Sequence, residues 1–238
     1  MVHLLSAEYT GPLHFTRFWL ETIAEWEAET GRHPLVALSC TKDAQDSIMA
    51  DPRLSAVVDI IDIRYWHYNT DGLWAPQAGR NMAPRQWMRQ MKVGKTGFTE
   101  VYRAVSECRE RYPDKAVTYF AQQYPAFGWA VLMAGGSLPD IPIAHDTGEA
   151  IQKTFLADVA LMKGIKADGA VALGDSSRGY LVYAQDDTVA LDVAAGTYDL
   201  YDIDAKTGLI TPRQKATLSS RHTITGVRPG SLVWLRRR

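Results

Sequence analysis

The periodicity of this chain changes once, and that change limits what it can fold into. As far as about Gly164, short apolar runs alternate with helical stretches; from Ala170 onward only short β-like runs separated by turns remain. Alternating strands and helices imply a parallel sheet with crossover helices. Short strands at regular spacing imply a small antiparallel sandwich. The expected class is therefore α/β plus all-β. On periodicity alone, residues 1–168 are expected to be either an open α/β fragment or a partial TIM-type (β/α)8 barrel of about its last five strand–helix units, and residues 169–238 a β-sandwich, with the boundary between Lys163 and Asp175.

A short apolar run beginning at His3 ends in a carboxylate, Glu8, ahead of a Thr10-Gly11-Pro12 turn. In an α/β barrel, catalytic groups sit at this carboxyl end of a strand. A helix follows from His14 to Glu29, with Phe15, Phe18, Trp19, Ile23 and Trp26 at helical spacing, and this face is expected to pack on the sheet. Leu35 to Ser39 reads as a buried strand. The β-branched run from Val57 to Tyr65 is the strongest strand signal and leads into Trp66-His67-Tyr68-Asn69. A long connection from Asn69 to Lys95 precedes a helix over Thr99–Arg111 and a strand over Ala116–Ala121. Pro125–Ala134 reads as an apolar helix, Ser137–Pro142 as a short final strand, and Thr147–Met162 as an amphipathic helix with Ile151, Phe155, Val159 and Met162 inward. Thr207-Gly208 marks a hairpin turn in the β region.

Composition narrows the function classes. A net charge of −1 argues against a general nucleic-acid binder. No apolar run reaches the roughly 18 residues of a membrane span. The N-terminal stretch lacks the basic, apolar and small-residue pattern of a signal peptide. Cys40 and Cys108 read as two unrelated buried thiols, and no metal-ligand cluster or cofactor motif is present. Gly94-Lys95-Thr96 is not a phosphate loop, because the pattern needs a glycine where Arg89 stands.

An ordered set of segments carries a family resemblance. It comprises Ala7-Glu8-Tyr9-Thr10-Gly11-Pro12-Leu13, Asp62-Ile63-Arg64-Tyr65-Trp66, Tyr112-Pro113-Asp114-Lys115, Gly128-Trp129 through Gly136-Ser137, and Tyr201-Asp202-Ile203-Asp204 through Gly208. The chain resembles bacterial glycoside-hydrolase-like (β/α)8 proteins of clan-A type that end in a small β-sandwich labelled as collagen-binding. It covers the back part of that barrel. The resemblance implies a polysaccharide or oligosaccharide ligand, relatives that are often exported, and Glu8 as acid/base after the fourth strand, here preceded by Ala7 where the family has Asn. It aligns Val117–Ala121 with the seventh strand, whose end offers Gln122 and Gln123 where the family has a nucleophilic Glu. The glycoside hydrolysis so implied needs two carboxyls, about 5–5.5 Å apart for retention or about 6.5–9.5 Å for inversion, because one protonates the leaving oxygen while the other supports an oxocarbenium-like centre. Asp43, Asp71, Asp140 and Asp146 are the strand-end candidates for the counterpart of Glu8, and Asp140 is preferred because it lies near the end of the expected last strand. Trp66, His67, Tyr68 and Trp74 offer aromatic faces for the C–H faces of sugar rings. Arg64 and Arg80 offer donors to hydroxyls or to a uronate carboxylate. Gln122 and Trp129 join the candidate substrate contacts. Two readings follow: an enzyme using Glu8, or a non-catalytic carbohydrate-binding protein or inactive remnant. A partial barrel leaves open strand edges, to be covered by self-association or by an N-terminal half-barrel outside this chain.

Overall fold

The computed structural model describes residues 1–5, 10–79, 95–120 and 125–238. The chain is mixed α/β and divides into two compact units. The first holds Met1–Gln122 and Ala130–Pro139; the second holds Gln123–Trp129 and Asp140–Arg238.

In the first unit, four short strands form a wholly parallel sheet: β1 (Val2–Leu5), β2 (Leu35–Leu38), β3 (Ile60–Ile63) and β6 (Ala116–Tyr119), in the order β1-β2-β3-β6. Between them run α1 (Leu13–Thr30), α2 (Lys42–Met49), α3 (Pro52–Val57) and α4 (Phe98–Arg111). The side chains of a strand alternate between faces. One face of this sheet is apolar, with Val36, Leu38, Ile61, Ile63 and Val117 all 0 % exposed. A hairpin, β4 (His67–Asn69) and β5 (Gly72–Trp74), follows β3 and gives structure to the start of the long connection.

Three expectations are corrected here. The aromatic stripe of α1 faces outward: Phe15, Phe18, Trp19 and Trp26 are exposed, while Thr16 and Leu20 are buried. The run expected as a strand from Val57 opens with the end of α3, whose N-cap Asp51 accepts from the backbone of Arg53 and Leu54 ahead of a proline-led first turn, so β3 starts only at Ile60. Ser137–Pro142 forms no strand. Leu138 adopts a left-handed φ of 51°, and Pro139 and Pro142 lack the N–H groups a ladder requires. The described parallel sheet therefore has four strands where the sequence suggested five. The thiols of Cys40 and Cys108 are free and buried, as expected.

In the second unit, α5 (Pro125–Met133, of which the residues to Trp129 belong here) and α6 (Glu149–Val159) precede the antiparallel strands. These are β7 (Lys163–Ile165), β8 (Ala167–Asp168), β9 (Ala170–Asp175), β10 (Gly179–Ala184), β11 (Thr188–Asp192), β12 (Gly196–Ile203), β13 (Ile210–Leu218), β14 (Arg221–Thr225) and β15 (Leu232–Arg237). They form a six-stranded sheet, β13-β12-β15-β10-β9-β7, and a three-stranded sheet, β14-β11-β8. Val189, Leu191 and Ile224 of the smaller sheet share one core with Tyr180, Val182, Tyr198, Leu200, Val233 and Leu235 of the larger. A row of rings, Trp129, Phe155, Trp234 and Tyr201, continues the packing at centroid spacings of 6.2, 5.3 and 4.9 Å. Around it the irregular segment packs backbone on backbone: a methyl group on Gly128 would lie 1.9 Å from the Asp140 carbonyl oxygen.

At the amino end of β2, His33 bridges two carboxylates, Nδ1 to Glu27 at 2.6 Å and Nε2 to Asp59 at 2.9 Å, while Asp59 also accepts from the Val36 amide. These bonds, Asp59's foremost, raise the His33 pKa above 6.5. A raised folded-state pKa stabilises fully below the unfolded value, and the benefit disappears as pH rises through the folded value. Thermal melts should thus show the first unit losing stability from near-neutral to alkaline pH, and His33→Gln should flatten that slope.

In the second unit, Gly179 has φ 131° and a side-chain carbon there would meet the Leu235 carbonyl oxygen at 1.9 Å. Gly226, at φ 69°, has open space around it. In urea unfolding, Gly179→Ala should cost about 2–4 kcal/mol and Gly226→Ala only about 1–2 kcal/mol.

Candidate functional site

The polar side of the parallel sheet is built around a carboxylate that sequence reasoning did not single out. Asp62 sits between Ile61 and Ile63 in β3 and faces away from their apolar layer. It is 7 % exposed, and such burial is costly unless its oxygens are bonded. The register supplies the partners. Thr118 of β6 lies opposite and donates its hydroxyl to Oδ1 at 2.8 Å. Ser39, one residue past β2, donates to Oδ2 at 2.7 Å. Arg64, one residue past β3, donates Nε to Oδ2 at 3.0 Å. A polar row thus crosses three adjacent strands at their carboxyl ends. The signal in the sequence was the second of two acids, after Asp59, interrupting a β-branched run, a pattern that resembles an ordinary surface position until the neighbouring strands are known.

Arg64 is held from a second side, its guanidinium carbon 5.1 Å from the centre of the Phe120 ring. Its side chain stays 29 % exposed, and among the described residues its two terminal nitrogens have no hydrogen-bond partner.

The aromatic candidates divide. Trp66 is 1 % exposed; its indole N–H donates to Gln45 Oε1 at 3.0 Å, and Lys42 Nζ sits 5.0 Å over the ring. It offers no open face for a sugar. Tyr68 is also buried, donating its hydroxyl to Glu107 at 2.6 Å with the Arg103 guanidinium 4.0 Å over its ring. Burial first, then Glu107, push its phenol up to about 12. Tyr68 ties the hairpin to α4. His67 is wholly buried, with its ring 5.2 Å from that of Trp74, and cannot meet a ligand directly as a general base. Trp74 alone of the four remains partly exposed.

Loops converge above this end of the sheet. The Ala78 amide donates to Asp43 Oδ2, and the Gly79 amide donates to the Thr10 carbonyl, both at 2.9 Å. The connection after β5 therefore meets the segments that follow β2 and β1. Glu8, Arg80 and Gln122 lie outside the described residues; in the chain they neighbour Thr10, Gly79 and Phe120 respectively. Two candidates belong to the second unit. Trp129 is 1 % exposed and donates its N–H to the Ala205 carbonyl at 2.9 Å, as part of that unit's core. Asp140 is exposed on the irregular segment, so the strand end on which its candidacy rested does not exist. Among the described residues there is no group of His, Cys, Asp and Glu able to hold a metal ion, and no helix long and apolar enough to cross a membrane.

No curated protein matches the chain. Solved structures do. A glycoside hydrolase with 10 % identity aligns at a TM-score of 0.51 over 96 % of this chain and 63 % of its own. A glycoside hydrolase family 5 protein from Bacteroides vulgatus ATCC 8482, at 10 % identity, aligns at 0.48 over 91 % and 58 %, and a GH30 endoxylanase from Clostridium papyrosolvens C71, at 8 % identity, at 0.41 over 92 % and 60 %. The chain spans less than two thirds of the length of each. The first of these establishes likeness of fold to a glycoside hydrolase. Residues 1–162 match the family described as Domain of unknown function (DUF6298), and the chain belongs to that family.

Proposed function

We propose that this chain is the back portion of a glycoside-hydrolase-like (β/α)8 barrel followed by a β-sandwich, and that it acts on an oligosaccharide or polysaccharide at the carboxyl ends of its parallel strands. The observation that carries the reading is the convergence there of the Ser39–Asp62–Thr118 row, Arg64 and the loop contacts Thr10–Gly79 and Asp43–Ala78. The fold likeness to a glycoside hydrolase supports it. In this reading β1 and β6, the two edges of the four-stranded sheet, pair with further strands supplied by a preceding segment or a second copy.

Glu8 follows β1 by three residues and serves as general acid/base, protonating the glycosidic oxygen as the bond breaks. Trp74 supplies a ring face to the sugar. The second carboxyl is not assigned to Asp140, which has lost its strand end. A second reading, binding without hydrolysis, draws on Gln122 and Gln123 after β6, since an amide cannot act as a carboxylate nucleophile.

A reducing-end assay on a panel of plant and bacterial glycans tests the choice. Glu8→Gln should lower turnover by about a hundredfold or more while binding persists. Trp74→Ala should weaken binding severalfold. Unchanged turnover in Glu8→Gln removes the assignment, and binding with no hydrolysis by the unaltered chain selects the second reading.

A further inference from the structure

Building on the carbohydrate reading above, we infer that the site takes an acidic glycan and that Arg64 is the fork that receives a sugar carboxylate. A guanidinium has two hydrogen-bonding edges. In Arg64 the Nε is committed to Asp62 and the guanidinium carbon lies 5.1 Å from the centre of the Phe120 ring, while the side chain keeps part of its surface exposed and its terminal nitrogens have no hydrogen-bond partner among the described residues. An arginine present only to neutralise Asp62 would pair through two parallel bonds, and this one makes a single bond. Ser39 and Thr118 give each oxygen of the carboxylate a hydroxyl donor, so both oxygens of Asp62 are bonded without the terminal nitrogens of Arg64. What remains is a pre-oriented pair of N–H donors spaced for a planar carboxylate, with its rotational freedom already removed.

Charge in the sequence points the same way. The connection from Gly72 to Lys95 carries Arg80, Arg85, Arg89, Lys92 and Lys95 and no Asp or Glu. Its described ends are fastened at this end of the sheet, Gly79 on the Thr10 carbonyl and the Lys95 carbonyl on the Thr70 amide. Lys95 pairs with Asp71. The chain as a whole is net −1, so this concentration of positive charge is local. Asp62 is then a positioning residue: it aims Arg64 without touching the sugar.

Titration calorimetry on the full 238-residue chain tests this with three tetrasaccharides: galacturonate, its methyl ester and neutral galactose. The acid should bind on the order of tenfold more tightly than either neutral form, as expected for a charge-assisted pair. Arg64→Gln should bring that ratio close to one. Arg64→Lys, which keeps the charge but not the fork, should retain only part of it, and it serves in place of Arg64→Gln if the latter loses its near-ultraviolet circular dichroism. Asp62→Asn, which keeps the shape and one acceptor oxygen but removes the charge that holds Arg64, should also lower the ratio, whereas a merely structural Asp62 would change all three affinities together. Equal affinity for acid and ester overturns the inference and leaves the carbohydrate reading standing. Binding of none of the three overturns the inference; the carbohydrate reading is then decided by the wider glycan panel.

Discussion

The first unit depends on satisfying one carboxylate inside a parallel sheet. Asp62 receives two hydroxyls and a guanidinium, and hydrogen bonds to a charged group contribute about 1.5–3 kcal/mol each once made. The larger effect is on register. A one-residue slip of β3 would turn Asp62 into the layer of Val36, Leu38 and Val117 and bring an isoleucine into the polar row. The alternation Ile61-Asp62-Ile63 therefore permits one alignment of β2, β3 and β6. That alignment also places Arg64 and Phe120 side by side. Fold specification and site geometry share the same few atoms.

Around that row, the loops at the carboxyl ends are held mainly by backbone groups and single carboxylates. Asp43 accepts from Ala78, Thr10 accepts from Gly79, and Glu107 clasps the hairpin through Tyr68. The second unit uses other means. Its two sheets share one apolar core, and its row of large rings is bordered by close backbone approaches at Gly128 and Gly208. Polar chemistry organises the first unit and ring packing the second, which is why Trp129, read as a ligand contact, belongs to structure.

Much of the fold was legible. The helix over Phe98–Arg111 kept the inward face of Val101, Val105 and Cys108 that spacing indicates, and α6 kept Phe155 and Val159 inward. The α1 stripe was misread because helical spacing identifies a stripe but not the side on which the sheet lies. Thr16 and Leu20 are too few to announce a buried face, while the aromatics opposite them are conspicuous. Ser137–Pro142 was misread because apolar content outweighed two prolines. The site was legible only in part. Arg64 and Trp74 were visible as donor and ring, whereas the burial of Trp66 and Tyr68 depends on Gln45 and Glu107, distant residues brought near by α2 and α4.

By itself the sequence determined most of the succession of elements, the change from parallel to antiparallel pairing, and the presence of cations and aromatics after β3, because periodicity, β-branching and turn chemistry are local properties of the chain. Only the tertiary structure decided which face of α1 is covered, which aromatics are enclosed, and that Asp62 orients Arg64. Those outcomes require groups from β2, β3 and β6, tens of residues apart, to meet across a parallel sheet. The register that brings them together is a property of the assembled strands and of none of them alone.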